Sequence, residues 1–173
     1  LESSSGDIFV GTSGGGLAKF DGVSSSGWTI FNTSHSDLPS TYVTTLLESS
    51  SGDIFVGTNK QGLAKFDGSS YNDWTIFNAG NSGLPTNNGV NNLVEGNNGN
   101  IFVGTSGGGL AKFDGSSYND WTIFNAGNSG MPSQYIHSLL KSSSGDIFAG
   151  TGNGPTGLIK FDGSSYNDWT VFY

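Results

Sequence analysis

A tripeptide of Tyr, Asn and Asp occurs three times and contains the residue types best suited to recognising a ligand. The copies are Tyr71, Asn72 and Asp73; Tyr118, Asn119 and Asp120; and Tyr166, Asn167 and Asp168. A tyrosine ring can stack on the apolar face of a sugar, while amide and carboxylate oxygens accept hydrogen bonds from its hydroxyls. We therefore predict these residues as ligand-binding candidates. The alternative is a loop whose Tyr packs on a neighbouring unit and whose Asn and Asp make local turn bonds.

Oxygen atoms in the same segment raise the question of a calcium site. Asp67, Ser69, Asn72 and Asp73 lie close together in sequence. Their spacing lacks the alternating acidic ligands and the terminal Glu of an EF-hand loop. The sequence therefore predicts no metal site.

The two histidines, His35 and His137, offer little support for catalysis. They fall at non-equivalent positions, and the chain contains no G-x-S-x-G or H-E-x-x-H pattern that would pair a histidine with a nucleophile or a metal. We expect a protein that is not an enzyme and needs no cofactor.

Four lysines recur, each two residues before an Asp-Gly pair: Lys19, Lys65, Lys112 and Lys160. They could form a ring of cations, but an exposed charge that protects a sheet edge is the simpler interpretation. No function is assigned to them.

Composition excludes several classes of partner. The net charge is −8, and the six basic residues are all Lys, which disfavours nucleic acid. No apolar run approaches the roughly 20 residues that span a bilayer, so we expect no membrane insertion. The chain has no Cys and hence no disulfide.

These candidate residues are carried by an internal repeat. Trp28, Trp74, Trp121 and Trp169 are separated by 46, 47 and 48 residues, and residues 62–83 are identical to residues 109–130. A fixed period of roughly 20–50 residues indicates a solenoid, a propeller or an array.

Each period contains four short apolar runs bounded by turn residues. In the second copy they are Val43–Glu48, Asp53–Thr58, Leu63–Asp67 and Trp74–Asn78. Runs of this length, rich in Val, Ile, Phe and Trp, predict strands. Ile54, Phe55 and Val56 are consecutive apolar residues, which indicates a strand covered on both faces. Four such strands per repeat predict an all-β fold, a β-propeller of four-stranded antiparallel blades.

We expect one domain over residues 1–173, with blades at about 1–32, 42–78, 89–125 and 135–173. The first copy lacks most of its first strand, the part equivalent to Tyr42–Leu46. Four blades could close into a ring, form half of an eight-bladed ring, or be an arc of a larger propeller. An isolated arc would expose apolar faces, so self-association or completion by further blades is expected.

The repeat resembles the two-component-regulator propeller family. The resemblance rests on Gly52–Thr58, Gly62–Gly68, Trp74–Phe77 and the linker Leu38–Val43, which recur together along nearly the whole chain. One departure is that Phe9, Phe55, Phe102 and Phe148 stand where the family usually has Trp.

The resemblance implies an extracellular, cell-surface or periplasmic location. Family members include the periplasmic sensor propellers of hybrid histidine kinases, which recognise oligosaccharides, and secreted repeat-rich bacterial proteins, which this variant resembles more. The family also resembles propeller lyases such as streptogramin lyase, but their arrangement of catalytic His and Glu is not reproduced here.

Two functional hypotheses follow. The first is a structural or self-assembling repeat protein, favoured because nearly identical blades lack the divergence that one asymmetric site would produce. The alternative is a glycan- or peptide-binding propeller, lectin-like or sensor, that uses the Tyr-Asn-Asp loops or the channel. A multivalent lectin would also keep its blades alike.

Overall fold

The computed structural model describes residues 1–66, 70, 72–86, 88–115, 117–153, 157–161 and 169–172. Fifteen strands and no helix are found in these residues. They form four antiparallel sheets in which strands adjacent in sequence are adjacent in space. The first sheet contains β1 (Ile8–Gly11), β2 (Leu17–Phe20) and β3 (Trp28–Phe31). The second contains β4 (Val43–Glu48), β5 (Ile54–Thr58), β6 (Leu63–Phe66) and β7 (Trp74–Phe77).

The other two sheets repeat this order. The third contains β8 (Val90–Glu95), β9 (Ile101–Thr105), β10 (Leu110–Phe113) and β11 (Trp121–Phe124). The fourth contains β12 (Tyr135–Lys141), β13 (Ile147–Gly152), β14 (Gly157–Phe161) and β15 (Trp169–Phe172). Four-stranded antiparallel blades are the prediction from the sequence, and the fold class is confirmed.

Burial explains why these strands do not alternate between apolar and polar residues. All five residues of β5 are buried, as are all five of β9. Val56 and Ala64 face the first sheet and pack with Leu17, whereas Phe55 and Leu63 face the third sheet. Both faces of an inner sheet therefore lie in apolar interfaces.

Aromatic side chains fill each interface in the same way. Trp74 stacks on Phe66, with ring centroids 4.7 Å apart, and its edge meets Phe31 of the preceding sheet at 5.6 Å. The equivalent distances between the third and fourth sheets are 4.5 Å and 5.6 Å. Stacked and edge-to-face geometries of this kind stabilise aromatic pairs by about 0.5–1.5 kcal/mol beyond the area they bury.

Two sets of positions are occupied by glycine because a Cβ atom there would collide with neighbouring atoms. Gly62 has φ +86°, and a Cβ there would lie 2.2 Å from the carbonyl oxygen of Phe77. Gly57 has no side chain because a Cβ would lie 2.7 Å from Cγ1 of Val90 in the next sheet. Gly104 stands in the same relation to Ile136, also at 2.7 Å. The innermost strands β4, β8 and β12 thus pass closely over the preceding sheet.

The innermost strands are also joined by polar side chains. Thr44 Oγ1 donates to the carbonyl of Val90 at 2.5 Å, and Asn91 Nδ2 donates to that of Ile136 at 2.7 Å. Each donor sits at a β-bulge of its strand. Each bond thus ties a backbone carbonyl of one sheet to a side chain of the sheet before it.

The sheets form an arc of a larger propeller rather than a closed four-bladed ring. Apolar interfaces lie between the first and second, second and third, and third and fourth sheets. The outer side of the first sheet, here called the head face, exposes Val10, Trp28 and Ile30. The outer side of the fourth sheet, the tail face, exposes Leu140, Leu158 and Phe172.

The outer sides of the first and fourth sheets carry the same residue types as the internal interfaces, but there the side chains are exposed. Phe172 is 46% exposed, whereas its counterparts Phe31, Phe77 and Phe124 are at most 3% exposed. Leu158 is 45% exposed, and its counterpart Leu63 is fully buried. Within the described part of the chain, no helix is long and apolar enough to cross a membrane.

Candidate functional site

The loops that join the first strand of a sheet to the second, and the third to the fourth, gather on one side of the arc. We call this side the acidic rim, because it contains Asp7, Asp53, Asp146, Glu48 and Glu95. In the first, second and fourth sheets, serine side chains close the turn that precedes the strand beginning at Ile8, Ile54 or Ile147. In the second sheet, Ser51 Oγ donates to Asp53 at 3.0 Å and lies 2.8 Å from Ser49 Oγ. These bonds fix the carboxylate in place.

Lysines of the adjacent strand pair with these carboxylates. Nζ of Lys65 lies 3.4 Å from Oδ2 of Asp53. In the first sheet, Nζ of Lys19 lies 3.0 Å from Oδ2 of Asp7. In the fourth sheet, Nζ of Lys160 lies 3.0 Å from Oδ2 of Asp146. The expectation of an edge-protecting charge is wrong, because strands β2, β6 and β14 are each paired on both sides. The sequence signal for this pairing was an Asp directly after a turn glycine, followed by a Lys 12 residues later in the first two copies and 14 residues later in the fourth.

Hydrogen bonds from these partners lower the pKa of two carboxyls. The Lys19 ammonium beside Asp7 is the largest cause that holds the pKa of Asp7 below its ordinary value. For Asp146, the Ser144 hydroxyl contributes most and Lys160 next, and they also hold its pKa below the ordinary value. Both carboxylates therefore stay charged at neutral pH.

Glutamates at the ends of the innermost strands connect neighbouring sheets across the rim. Glu48 accepts hydrogen bonds from the backbone N–H of Ser4 at 2.8 Å and from its Oγ at 2.6 Å. Glu95 accepts the equivalent pair from Ser50, also at 2.8 and 2.6 Å. The repeated serine–glutamate contact joins the first sheet to the second and the second to the third.

A groove opens on the acidic rim between the second and third sheets, with a volume of about 390 Å³. Its polar lining includes Ser50, Asp53, Lys65 and Glu95, and Phe113 contributes apolar surface. A smaller cavity of about 170 Å³ shares Lys65 and Phe113 with it and is lined further by Tyr118. The two cavities place hydroxyl, carboxylate and ammonium groups beside an aromatic ring.

Tyr118 is the one tyrosine of the predicted tripeptides that lies among the described residues. Tyr118 is 45% exposed. The centroid of its ring lies 5.3 Å from that of Phe77 in the preceding sheet. Its carbonyl accepts bonds from the N–H of Gly83 at 3.1 Å and from Nε1 of Trp121 at 3.0 Å. The ring is thus held by the neighbouring sheet and still has surface to offer a ligand.

The other tripeptide residues are placed as follows. The backbone N–H groups of Asn72 and Asn119 lie 3.4 Å from the Oγ of the Ser two residues earlier, and both side chains are exposed. Asp73 and Asp120 are half-buried in the same turns. Tyr71, Tyr166, Asn167 and Asp168 lie outside the described residues, as do Asp67 and Ser69 of the calcium hypothesis. Their role as ligand contacts stays a prediction.

A third cavity, of about 190 Å³, lies between the third and fourth sheets. It is lined by Lys112 together with the amides of Asn97, Asn98 and Asn100. Asn100 stands where the other three sheets have Asp, and no ion pair of Lys112 is found among the described residues. The only sign of this departure in the sequence is an Asn in place of the repeated Asp.

The histidines lie on different sheets. His35 Nδ1 lies 3.1 Å from Oδ1 of Asn32 in the linker after β3. His137 is at the bulge of β12, and its ring passes over Gly152. Among the described residues, no cluster of three or more His, Cys, Asp or Glu side chains could hold a metal.

Comparison with known proteins relates this geometry to a family. Residues 37–60 match the family described as Two component regulator propeller. No curated protein matches the chain. Among solved structures, the chain is similar to one described as the extracellular domain of a hybrid two-component system from B. thetaiotaomicron, with 26% identity and a TM-score of 0.80. A second such domain from that organism gives 14% identity and a TM-score of 0.77.

Virginiamycin B lyase from Staphylococcus aureus is also similar in fold, with 16% identity and a TM-score of 0.70 over 99% of this chain. All of this chain aligns with the two sensor domains but spans only 22% and 24% of their length, and it aligns with 53% of the lyase. The chain thus spans about a quarter of the length of these extracellular domains. Over residues 37–60 it is similar to the two-component-regulator propeller repeat.

Proposed function

We propose that this arc is a ligand-recognising part of an extracellular, sensor-type propeller, and that it binds carbohydrate without catalysis. The observation that carries the proposal is the groove between the second and third sheets. There, Ser50, Asp53, Lys65 and Glu95 surround a cavity of about 390 Å³. Half-exposed Tyr118 lines the cavity that adjoins it.

The chemistry of this lining suits a polyhydroxylated ligand. Carboxylates accept hydrogen bonds from sugar hydroxyls, the lysine ammonium donates to ring or hydroxyl oxygens, and a serine hydroxyl can do either. An aromatic ring supplies apolar surface for the C–H face of a pyranose. A concave site with a few fixed polar groups is the usual form of a small-molecule site.

The ion pair and serine bonds hold Asp53 and Lys65 in place before a ligand arrives. Little side-chain entropy would then be lost on binding, which favours affinity. The similarity to extracellular domains of two-component systems supports the same function and an extracellular or periplasmic location. Since this chain spans about a quarter of those domains, the site would be one part of a larger recognition surface.

The test is a glycan array, followed by calorimetry on any glycan that binds. Tyr118→Ala should weaken binding roughly tenfold or more, as truncation of a central aromatic contact commonly does. Asp53→Asn, which keeps the side-chain shape, should weaken it less. Tyr42→Ala, at an exposed tyrosine on the opposite rim, is the matched control and should bind as the unchanged protein does.

Unchanged binding of both Tyr118→Ala and Asp53→Asn would remove the groove and the adjoining cavity as the site. Absence of any bound glycan, with capture of a peptide from a random library instead, would replace carbohydrate by peptide. Release of a cleaved product would contradict a non-catalytic role.

A structural, self-assembling role is the second candidate function. The observation that favours it is the near-identity of the repeats, since residues 62–83 and 109–130 are identical and lack the divergence that one asymmetric site would produce.

A further inference from the structure

The cavity between the third and fourth sheets is formed by the same positions as the groove between the second and third. The register agrees, because each lysine pairs with a buried phenylalanine of the adjacent strand, Phe55 in the groove and Phe102 in the cavity. The two sites can therefore be compared position by position. Three pairs of equivalent lining residues, with the groove residue first, are Ser51 and Asn98, Asp53 and Asn100, and Lys65 and Lys112.

The charges at the equivalent positions differ. The groove is lined by three carboxylates, of Asp53, Glu95 and Asp114, and by the single ammonium of Lys65. Among the described residues that line the cavity, Lys112 is the one charged side chain. The third sheet thus keeps the lysine of the ion pair and has an uncharged amide in place of its carboxylate.

A second lysine replaces a carboxylate at the end of β12. Lys141 pairs with Ile147, which lines the cavity. Glu95 pairs in the same way with Ile101, which lines the groove. Lys141 and Lys112 are both half-buried. In the part of the chain that the structure describes, no ion pair or hydrogen bond of either ammonium is found.

The carboxylate of the fourth sheet does not offset these positive charges. Asp146 precedes Ile147, which lines the cavity, so the two side chains point to opposite faces of the sheet. Asp146 instead pairs with Lys160 at 3.0 Å. The position equivalent to Asp114 is Asp162, which lies outside the described residues.

Asparagine amides provide hydrogen-bond donors beside Lys112. A Cβ at Gly145 would collide with Nδ2 of Asn97, so this amide reaches from the third sheet to the first turn of the fourth. Asn98 and Asn100 line the same cavity. Within the described ranges, no hydrogen bond of these three side chains is found. Their N–H groups can therefore donate to a ligand.

We propose that this cavity binds the carboxylate group of a small anionic ligand. The ammonium of Lys112 makes a charge-assisted hydrogen bond to one carboxylate oxygen, the asparagine amides donate to the other, and Lys141 adds positive charge at the edge. The ligand thereby supplies the negative charge that Asp53 supplies within the second sheet. The proposal does not rest on carbohydrate binding in the groove, because it concerns another pair of sheets and the opposite charge.

The test is a titration followed by proton–nitrogen correlation NMR. The probes are glucuronate and acetate, and glucose is the uncharged control. Both carboxylates should give saturable shifts in the amide signals of Asn97, Asn98, Asn100 and Gly145, and glucose should leave these signals in place. Tighter binding of glucuronate than of acetate would identify an acidic sugar, and equal binding would identify a free carboxylate. Both results agree with the proposal.

Two substitutions restore residues that other sheets carry at these positions. Asn100→Asp gives Lys112 an internal carboxylate, and Lys141→Glu returns the glutamate of the second and third sheets. We expect Asn100→Asp to raise the dissociation constant about tenfold or more, and Lys141→Glu to raise it less. Because equivalent positions already carry these residues, both variants should fold, which the same spectra check.

Lysine substitutions provide the matched control. Lys112→Gln should raise the dissociation constant about tenfold or more, and Lys112→Arg, which keeps the charge, should retain most of the binding. Lys19→Gln removes the equivalent lysine of the first sheet, whose ammonium lies 3.0 Å from Asp7. It should change the dissociation constant by less than about twofold.

Three results would overturn the proposal. Equal shifts with glucose and glucuronate would show that the carboxylate is not recognised. Unchanged binding of Lys112→Gln would place the anion elsewhere. Equal weakening by Lys19→Gln and Lys112→Gln would indicate general attraction to lysines rather than this cavity. None of these results depends on Tyr118→Ala, so the two proposals can fail separately.

Discussion

The second and third sheets differ at the rim while agreeing in the interior. Residues 62–83 and 109–130 are identical, and the strands built from them have equivalent bounds. On the rim, however, Asp53 is replaced by Asn100. Lys65 is therefore paired at 3.4 Å, whereas Lys112 lines a cavity with three asparagine amides. The comparison shows that packing fixes the blade and leaves its rim free to acquire different chemistry.

Removing the shared interior should have the largest effect, and an equal one in both sheets. Phe77→Ala and Phe124→Ala each empty a site that is at most 3% exposed, next to a stacked pair in the following sheet. We expect each to lower the free energy of unfolding by about 3–5 kcal/mol, measured by urea denaturation. Phe172→Ala on the exposed tail face is the control and should cost much less in dilute solution. A large difference between Phe77 and Phe124 would contradict equal packing.

Exchanging Asp53 and Asn100 on the rim should change the free energy of unfolding less, and with opposite sign in the two sheets. Asn100→Asp gives Lys112 the partner that Lys65 has, and Asp53→Asn removes it from Lys65. Because these side chains are partly exposed, each change should alter the free energy of unfolding by about 1 kcal/mol or less. The stabilisation by Asn100→Asp should shrink when the salt concentration is raised. A salt-independent change would show that the new carboxylate is not paired with Lys112.

The pH dependence should show the smallest effect. Asp7 and Asp146 have a pKa below the ordinary value of 3.8, so below that value the unfolded chain binds more protons than the folded one. Their contribution is complete above about pH 4 to 5 and is lost as the pH falls through the lowered pKa. Asp7→Asn should make the free energy of unfolding depend less steeply on pH between 5 and 2. Asn100→Gln should leave this dependence unchanged. Equal slopes for all three proteins would contradict a contribution from Asp7.

Much of the fold was predictable because each element is encoded locally and repeated. The predicted strand Val43–Glu48 is the observed β4, and the predicted Trp74–Asn78 differs from β7 by one residue. The family resemblance is confirmed by the match over residues 37–60. A closed ring of four was left open because closure depends on the angle between sheets, which no single repeat encodes.

The site was less predictable because it combines residues from two repeats. Sequence reasoning placed Tyr118 in a loop between strands, but its contact with Phe77 depends on how adjacent sheets pack. The partner of Lys65 was missed for a related reason. Asp67 is nearer in sequence, and only the antiparallel register of β5 and β6 brings Asp53 beside the lysine.

The missing side chain at Gly57 has a consequence for the geometry of the whole arc. At the inner edge, β8 approaches so closely that a single methyl group at Gly57 would collide with Val90. Further out, the rings of Phe77 and Trp121, with centroids 5.8 Å apart, separate the same sheets. Each sheet is therefore thin on one side and thick on the other, like a wedge. The difference in thickness sets the rotation from one blade to the next, and hence the number of blades in a full turn. A residue without a side chain thereby controls the curvature of the propeller.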